Sequence, residues 1–302
     1  MKILVVCSGN RRLSPYIKDQ VDSLKRIGLE ISIFPIKGQG IRGYFKNYLL
    51  LRKKLKNERY DLIHAHYGLS GLVAVLQFSI PVIVTFHGSD IDRRDIYLIS
   101  RLVMMLSNFN IFVSKRLAKK AGAKKKYAVT SCGVDMKIFH PLYKNKCREI
   151  LGWEQNEKIA LFSSSFDKPV KNSTLAKKAC RLAGVKLIEL KNFNRTQVNL
   201  LMNASDLLLV TSYRESGPLV VKEAMACGCP IVTTDVGDVR EIIGDTEGCY
   251  ITTYDPGDIS DKIVRAINLK GRTGGRKKVR HLEIDEVANK IKSIYIKLGH
   301  AI

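Results

Sequence analysis

Residues Asp206 to Thr234 read DLLLVTSYRESGPLVVKEAMACGCPIVTT. Two short apolar runs, Leu207–Val210 and Ile231–Thr234, flank a longer stretch that favours a helix over Pro218–Cys227. A strand, a helix and a second strand in this order are typical of a right-handed βαβ unit, whose two strands lie parallel. The stretch therefore predicts a parallel sheet with helices packed on its faces.

The same alternation of short apolar runs and amphipathic stretches continues along the whole chain. Further strands are predicted at Ile3–Cys7, Glu30–Phe34, Leu62–Ala65, Val82–Phe86, Asn110–Val113, Lys126–Thr130, Ile159–Ser163, Lys186–Leu190 and Cys249–Ile251. Further helices are predicted at Ser14–Ile27, Tyr44–Lys56, Lys171–Ala183 and Thr196–Asn203. The two series divide near His140-Pro141, which predicts two α/β, Rossmann-like, doubly wound domains over residues 1–141 and 142–283. We expect the domains to face a central cleft, and residues 284–302 to form a helix that returns to the first domain.

Length and composition exclude several classes of protein. The 302 residues suit two domains of ordinary size, and a hydrophobic content of 45% excludes a disordered polycation. Seven scattered cysteines argue against a disulfide scaffold and indicate a reducing, cytoplasmic compartment. The net charge of +23 indicates a polyanionic partner, which could be nucleic acid, an anionic membrane surface or a phosphorylated substrate.

Apolar runs in this sequence are short. The first ten residues, MKILVVCSGN, contain a run too short for the hydrophobic region of a signal peptide. The most apolar stretch, Gly71–Phe86, is interrupted by Gln77, Ser79 and Pro81. We therefore expect no membrane-spanning segment.

Two glutamates lie within the stretch Asp206–Thr234. Glu215 stands just before the predicted helix and Glu223 lies inside it, and eight residues correspond to about 800° of helical rotation. This rotation predicts that both carboxylates face one ligand, beside the backbone N–H groups of Gly217, Leu219 and Val220. The alternative is a capping Glu215 and an exposed Glu223 that pairs with a lysine.

The pattern around these glutamates resembles the nucleotide-sugar site of the family 4 glycosyltransferases. The resemblance lies in the seven residues between Glu215 and Glu223 and in the segments Ala224–Pro230 and Thr234–Ile243. It extends in order through Asp61–His66, Val84–Asp90, Val113–Lys115 and Gly133–Pro141. It implies a retaining, metal-independent enzyme of the two-domain GT-B fold, which uses a nucleotide diphospho-sugar as substrate and no cofactor.

The resemblance also implies roles for individual residues. Glu215 would bind hydroxyls of the transferred sugar, and Glu223 would bind ribose hydroxyls of the nucleotide. Lys171 matches the family lysine that neutralises the diphosphate, whereas Ser165 occupies the usual place of an arginine. Lys168 is a candidate substitute for that arginine, or else a solvated loop lysine.

Further donor contacts are expected from the turn before the helix and from the first domain. Gly217, Pro218 and Leu219 would present backbone groups to the donor. Gly9 follows the first strand in a turn where the backbone could approach the phosphates. In the family, the histidine that corresponds to His87 reaches the region of the donor sugar and the acceptor.

Three other patterns are interpreted as structural. His64 and His66 are expected to point to opposite faces of their strand and to pack there or line the cleft, not to form a metal pair. Asp90-Ile-Asp92 resembles a metal-binding D-x-D motif of another glycosyltransferase fold, and we expect it to have a structural or capping role. Cys227-Gly-Cys229 lacks a second ligand pair, so close helix–sheet packing explains its small residues better than a metal does.

The basic residues are clustered, mainly in Arg42–Arg59, Arg93–Lys126 and Lys262–Lys297. The first cluster lies on an amphipathic segment with aromatic residues, as in helices that bind anionic membranes, although a solvated face over a normal core stripe would look similar. Members of the family that the sequence resembles often act on lipid-linked acceptors, so the resemblance implies a cytoplasmic enzyme, peripheral on the inner face of the plasma membrane, that glycosylates a lipid-linked glycan in cell-envelope polysaccharide synthesis. The alternatives are a non-catalytic glycosyltransferase partner subunit, a sugar-nucleotide epimerase and a nucleic-acid-binding protein, of which the last lacks any known reader motif.

Overall fold

The computed structural model describes residues 1–10, 13–38, 40–269 and 271–299. The chain divides into two compact units. The first unit comprises Met1–Gly133 together with the C-terminal helix, and the second comprises Val134–Glu283. Each unit is built on its own parallel sheet. The predicted α/β fold class is therefore confirmed.

The first unit contains a six-stranded sheet with the strand order β2-β1-β3-β4-β5-β6. Its strands are β1 Lys2–Ser8, β2 Glu30–Ile36, β3 Leu62–His66, β4 Val82–Phe86, β5 Phe109–Phe112 and β6 Tyr127–Val129. Its helices are α1 Pro15–Arg26, α2 Gly40–Asn57, α3 Gly68–Val75, α4 Ser89–Asp92, α5 Arg94–Leu106 and α6 Lys115–Lys120.

Helices cover both faces of this sheet. The side chains of Leu4 and Val6 pack towards α2, α3, α5 and α6, whereas Ile3 and Val5 pack towards α1 and the C-terminal helix. Because alternate residues of a strand point to opposite faces, a central strand buried on both faces is apolar throughout. This explains why β1 and β4 are continuous apolar runs in the sequence.

The second unit contains a five-stranded sheet with the strand order β11-β10-β9-β7-β8. Its strands are β7 Ile159–Phe162, β8 Lys186–Glu189, β9 Leu207–Val210, β10 Ile231–Thr234 and β11 Cys249–Thr252. Its helices are α7 Lys144–Leu151, α8 Ser173–Leu182, α9 Arg195–Ala204, α10 Leu219–Cys227, α11 Val239–Ile243, α12 Pro256–Ile267 and α13 Gly275–Lys278, with 3₁₀ turns at Pro169–Lys171 and Arg280–Leu282.

The boundary between the units precedes the predicted one by eight residues. Sequence reasoning divides the chain after residue 141, whereas the structure divides it after Gly133. Val134, Met136 and Phe139 are buried in the apolar core of the second unit, so this connecting segment packs with the domain that follows it.

The C-terminal helix α14, Ile284–Gly299, belongs to the first unit. Val287, Ile291 and Tyr295 are buried in the same cluster as Val21 and Leu24 of α1. Residues 300–302 of the predicted C-terminal segment lie outside the described residues. In the parts of the chain that the structure describes, no helix has both the length and the apolarity that crossing a membrane requires.

Candidate functional site

The loop between β9 and α10 carries Glu215 and is held at its start by the ends of neighbouring strands. The hydroxyl group of Thr211 donates a hydrogen bond to the carbonyl group of Lys171, at 3.0 Å. The carbonyl oxygen of Ser212 accepts hydrogen bonds from the hydroxyl groups of Thr234, at 2.8 Å, and Tyr254, at 3.1 Å. The end of β10 and the segments that follow β7 and β11 thus all help to position this loop.

The loop after β10 also approaches this segment closely, at Gly237. Its φ is +61°, and a Cβ atom there would lie 3.0 Å from the carbonyl carbon of Ser216 and 3.2 Å from the backbone nitrogen of Gly217. Only glycine adopts this conformation at no steric cost and leaves room for the second backbone. Gly237 therefore allows the two loops to pack together.

Glu215 forms an ion pair with Lys171. The same carboxylate oxygen accepts a hydrogen bond from the hydroxyl group of Ser212, at 2.8 Å. The side chains of Lys171 and Glu215 are 17% and 15% exposed, so both are held in place and remain accessible. They lie at the carboxyl ends of β7 and β9, which are adjacent in the sheet. In parallel α/β sheets this is the edge at which ligands bind.

Glu223 has a different partner, which sequence reasoning missed. Its carboxylate, 5% exposed, pairs with Arg195 at the start of α9. The guanidinium group of Arg195 also lies 4.6 Å from the ring centroid of Phe139. A buried carboxylate requires a cation, and the apolar residues that flank Glu223 in the sequence are the signal that it would be buried and so need such a partner.

Helix α10 begins at Leu219, four residues after Glu215. Helical rotation therefore does not relate Glu215 to Glu223, because the intervening chain is a loop for half of its length. Pro218 is the N-cap and makes no capping hydrogen bond through its side chain. The first N–H groups of the helix, including that of Leu219, thus have no side-chain cap, which leaves the positive end of the helix dipole open to an anion.

The loop after β7 contains few charges that could face a diphosphate. Lys168 is exposed just before the 3₁₀ turn that ends at Lys171. Ser165, which stands at the usual place of the family arginine, is buried and donates a hydrogen bond to Asp167 at 2.5 Å. The buried hydroxyl group of Ser163 has no hydrogen-bond partner among the described residues. Ser165 therefore supplies no positive charge at this end of β7.

His87 follows β4 in the first unit, where aromatic rings surround it. Its Nε2 atom lies 2.9 Å from Nδ1 of His66, at hydrogen-bonding distance. The ring centroids of Tyr16 and Tyr67 lie 4.9 and 4.7 Å from that of His87, and the hydroxyl groups of these two tyrosines are hydrogen-bonded to each other. The imidazole ring is therefore fixed in orientation.

The expectation that His64 and His66 point to opposite faces is wrong. Residues two positions apart in a strand share a face, and these rings stack with their centroids 4.6 Å apart. Nδ1 of His64 is hydrogen-bonded to the hydroxyl group of Tyr295 at 2.5 Å, and its Nε2 to that of Thr85 at 2.7 Å. No group of three or more potential metal ligands occurs in the described parts of the chain.

Burial keeps these histidines neutral at physiological pH. Burial lowers the pKa of His66 to about 3. Burial, and then repulsion by neighbouring histidines, lowers the pKa values of His64 and His87 well below the ordinary value. A neutral imidazole can both donate and accept a hydrogen bond, so His66 and His87 can share the bond between them while His64 bonds to Tyr295 and Thr85.

The two aspartates of Asp90-Ile-Asp92 have separate local contacts. The carboxylate of Asp90 accepts hydrogen bonds from the backbone N–H groups of His87, at 3.3 Å, and Gly88, at 2.8 Å. Burial raises the pKa of Asp90 to about 6. Asp92 instead pairs with Lys120. Asp90 therefore supports the loop that carries His87.

Gly9 has a packing reason to be glycine. A Cβ atom there would lie 2.5 Å from Cβ of Pro35 in β2, and the backbone N–H group of Gly9 donates to the carbonyl group of Ile36 at 2.8 Å. The close contact with β2 accounts for this residue without a ligand.

Two family models match the chain. The model "Glycosyltransferase Family 4" matches residues 2–137, and the model "Glycosyl transferases group 1" matches residues 182–280. The D-inositol 3-phosphate glycosyltransferase of Mycolicibacterium smegmatis is 23% identical over 273 residues, which cover 74% of this chain and 63% of the relative. The enzyme of the same name from Mycobacterium tuberculosis H37Ra is 24% identical over 277 residues, with 74% and 58% covered. The chain thus spans about three fifths of the length of these relatives.

Solved structures share the fold at low sequence identity. The sucrose-phosphate synthase of Thermosynechococcus elongatus is similar with a TM-score of 0.80 and 16% identity, and the similarity covers 100% of both chains. Anabaena HepE in complex with UDP and glucose gives a TM-score of 0.79 at 16% identity and covers 99% of this chain and 100% of that one. The family models cover most of the sequence, and both units have the architecture of these structures. The chain therefore belongs to the group 1 glycosyltransferases of family 4, which have the GT-B fold.

Proposed function

We propose that this chain transfers a sugar from a nucleotide diphospho-sugar to an acceptor hydroxyl group with retention of anomeric configuration. The observation that carries the proposal is the Lys171–Glu215 ion pair at the strand ends, in the same unit as the uncapped start of α10. The ammonium group of Lys171 can bind a phosphate, and the carboxylate of Glu215 can accept hydrogen bonds from sugar hydroxyl groups. The relatives that are named glycosyltransferases and the UDP complex of Anabaena HepE support this choice of donor.

The two glutamates would bind different parts of the donor. We assign the hydroxyl groups of the transferred sugar to Glu215 and the ribose hydroxyl groups to Glu223. A carboxylate offers about four lone-pair directions, so one cation and a hydroxyl group can bind it together. The ion pairs with Lys171 and Arg195 would thus hold both carboxylates in position for the donor.

The leaving diphosphate would be stabilised by protein charges without a metal ion. Lys171 and the start of α10, with the backbone of Gly217, Pro218 and Leu219, would supply most of the stabilisation, and Lys168 a smaller part. Electrostatic stabilisation of this kind is usually the largest single contribution to catalysis. In the family, an arginine and a lysine together neutralise the diphosphate. Because Ser165 stands at the place of the arginine and carries no charge, Lys171 would contribute a larger share of the stabilisation here.

We favour attack on the face from which the diphosphate leaves. The bond between the anomeric carbon and the phosphate oxygen breaks, and the acceptor oxygen forms a new bond to that carbon on the same face. The proton of the acceptor hydroxyl group passes to the departing phosphate oxygen, so no carboxylate is needed as a nucleophile. We further propose that His87, fixed by His66, helps to position the reacting groups.

We propose that the acceptor is a lipid-linked glycan of cell-envelope polysaccharide synthesis, glycosylated at the inner face of the plasma membrane. The cationic helix α2 supports this assignment, as do seven cysteines that are scattered along the sequence without paired spacing, which is typical of a reducing compartment. An inositol phosphate, which the names of the curated relatives give as their acceptor, is the principal alternative.

A panel of nucleotide sugars tests the proposal. We expect one donor to raise the melting temperature of the purified chain and to be consumed when an acceptor is added. Glu215→Gln removes the charge that pairs with Lys171 and should lower transfer at least about a hundredfold while the fold is kept. Glu247→Gln, at an exposed glutamate, is the matched control and should retain full activity. A folded Glu215→Gln protein with normal activity would refute the assignment.

A non-catalytic partner subunit is the second candidate, because the buried, uncharged Ser165 replaces a family arginine. The same experiment separates the two functions. A partner subunit would bind the nucleotide sugar and neither hydrolyse nor transfer it, whether or not an acceptor is present.

A further inference from the structure

An apolar pocket opens on the first unit, between α2, α3 and α5. Its volume is about 600 Å³, within the usual range for sites that take small molecules. The residues around it include Tyr44 and Phe45 of α2, Leu72 and Leu76 of α3, and Phe78. Among the residues that the structure describes, no charged side chain lines the pocket, so a polar ligand would find little to bind there.

Apolar side chains continue from this pocket onto the protein surface. Phe78 beside the pocket is 75% exposed, and Phe45 is exposed as well. Helix α5 contributes Ile99 to this pocket and Met105 to a pocket on its other side, and its Leu98 and Met105 are also exposed, the latter by 78%. Exposed apolar side chains that cluster in this way mark an interaction surface, because their contact with water is unfavourable.

Exposed basic residues lie on α2 and beside α5. Helix α2 contains no Asp or Glu, and its exposed basic residues are Arg42, Lys46, Arg52, Lys53 and Lys56. A second pocket, of about 450 Å³ on the other side of α5, is lined by Arg101, Lys124 and Lys125 together with aromatic rings.

Acidic residues near these helices do not cancel this charge. The carboxylates of Glu58, Asp92 and Asp95 each form an ion pair with a nearby basic residue. The basic residues of α2 and those of the second pocket therefore outnumber the acidic ones. We define the lipid face by its exposed side chains. These are the apolar residues Phe45, Phe78, Leu98 and Met105 and the exposed basic residues of α2 and of the second pocket.

We propose that the lipid face docks on an anionic bilayer and that the pocket beside α2 takes one hydrocarbon chain of a membrane lipid. This combination of chemistry fits a bilayer, because cations bind anionic headgroups while apolar side chains enter the layer beneath them. The inference rests on the proposed function, since this bilayer would carry the lipid-linked acceptor. Nucleic acid accounts for the cations but not for the exposed Leu98 and Met105.

Vesicle flotation tests the docking. We expect the intact chain to float with vesicles of phosphatidylglycerol and phosphatidylcholine, and to bind at least tenfold less to vesicles of phosphatidylcholine alone. Added salt should weaken the binding. Equal binding to both vesicles, or no binding to either, would overturn the proposal, as would retention on DNA in place of anionic vesicles.

Paired variants show which surface is responsible. The double change Leu98→Glu with Met105→Glu alters only exposed side chains and should lower anionic vesicle binding at least tenfold. The matched control, Ile150→Glu with Leu182→Glu, alters exposed apolar residues of the second unit and should bind normally. If the control loses binding as well, or the first pair keeps it, the lipid face is not the docking surface.

A similar pair tests the charge. Lys46→Glu with Lys53→Glu on α2 should weaken binding, whereas Arg265→Glu with Lys277→Glu in the second unit should not. All four residues are exposed. Equal losses in both pairs would indicate attraction by the overall net charge and would contradict a specific lipid face.

The pocket is tested with a phospholipid that carries a photoreactive acyl chain. We expect labelling of peptides from α2 and α3, and Leu76→Trp, which fills the pocket from its rim, should lower that labelling severalfold. Labelling that does not change in this variant would exclude the pocket. Nucleotide-sugar binding, measured on the same proteins, keeps the two ideas apart: the proposed function fails if the donor does not bind, whatever the vesicles show.

Discussion

Glu223 is a buried carboxylate, 5% exposed, whose charge is balanced by Arg195. We predict that Glu223→Gln raises the Kd for the free nucleoside diphosphate about tenfold or more, because a charged acceptor for the ribose hydroxyl groups is lost. The variant should also lose about 1–3 kcal/mol of stability, since Arg195 loses its ionic partner. Isothermal titration calorimetry and urea unfolding measure the two effects. Unchanged nucleotide affinity in the folded variant would contradict the assigned role.

The buried histidines of the first unit predict a loss of stability in acid. The pKa of His66 is about 3 in the folded chain, against an ordinary value of 6.5. Because folding lowers this pKa, the stability that the neutral ring provides is complete above about pH 6.5 and is lost as the pH falls towards 3. His66 should account for about 2 kcal/mol of the loss between pH 8 and pH 5.

The variant His66→Phe keeps a stacked ring and cannot titrate. We expect its free energy of unfolding to fall by about 2 kcal/mol less between pH 8 and pH 5 than that of the unaltered chain. Asp90 has a raised pKa and so acts in the opposite direction, but it is present in both proteins and its effect cancels in the comparison. If the free energies of unfolding of the two proteins changed equally between pH 8 and pH 5, the pKa of His66 in the folded chain would not be lowered, and the prediction would be wrong.

At the scale of elements, the loops at the ends of β9 and β10 are held together at Gly237. We predict that Gly237→Ala lowers donor affinity severalfold, because the new Cβ atom would displace the backbone of Ser216 and Gly217. Gly152→Ala is the control, since Gly152 has a similar φ of +66° and open space around its Cβ position. Both variants should lose about 1 kcal/mol of stability for the strained φ. Equal donor affinity in the two variants would show that the close contact between the loops at Gly237 does not affect donor binding.

The sequence predicted some elements well for a physical reason. Each of the eleven strands lies within about two residues of its predicted position. The central strands, such as β4, β7 and β9, are buried on both faces and are therefore nearly continuous apolar runs in the sequence. The pairing of Glu223 with Arg195 could not be predicted, since their contact depends on how α9 and α10 pack. The domain boundary differs because Phe139 fills the core of the second unit, which its position in the sequence does not reveal.

For the whole molecule, the charge of +23 is unevenly placed. In the second unit, Lys171 and Arg195 are paired with the two glutamates that we assign to the donor. In the first unit, the cations of α2 and of the loop after α6 border apolar side chains on the surface. We therefore assign catalysis to a few paired charges in the second unit and membrane docking to many exposed charges in the first unit.

Above all, we propose a sugar transfer that retains the anomeric configuration and depends on Glu215 and Lys171. The anomeric configuration of the product, read by proton NMR from a reaction with the donor found in the panel, tests this claim most directly. We predict a product with the configuration of the donor, formed at the same rate with or without EDTA and lost in Glu215→Gln. A product of inverted configuration, or turnover that requires an added divalent metal ion, would contradict the account.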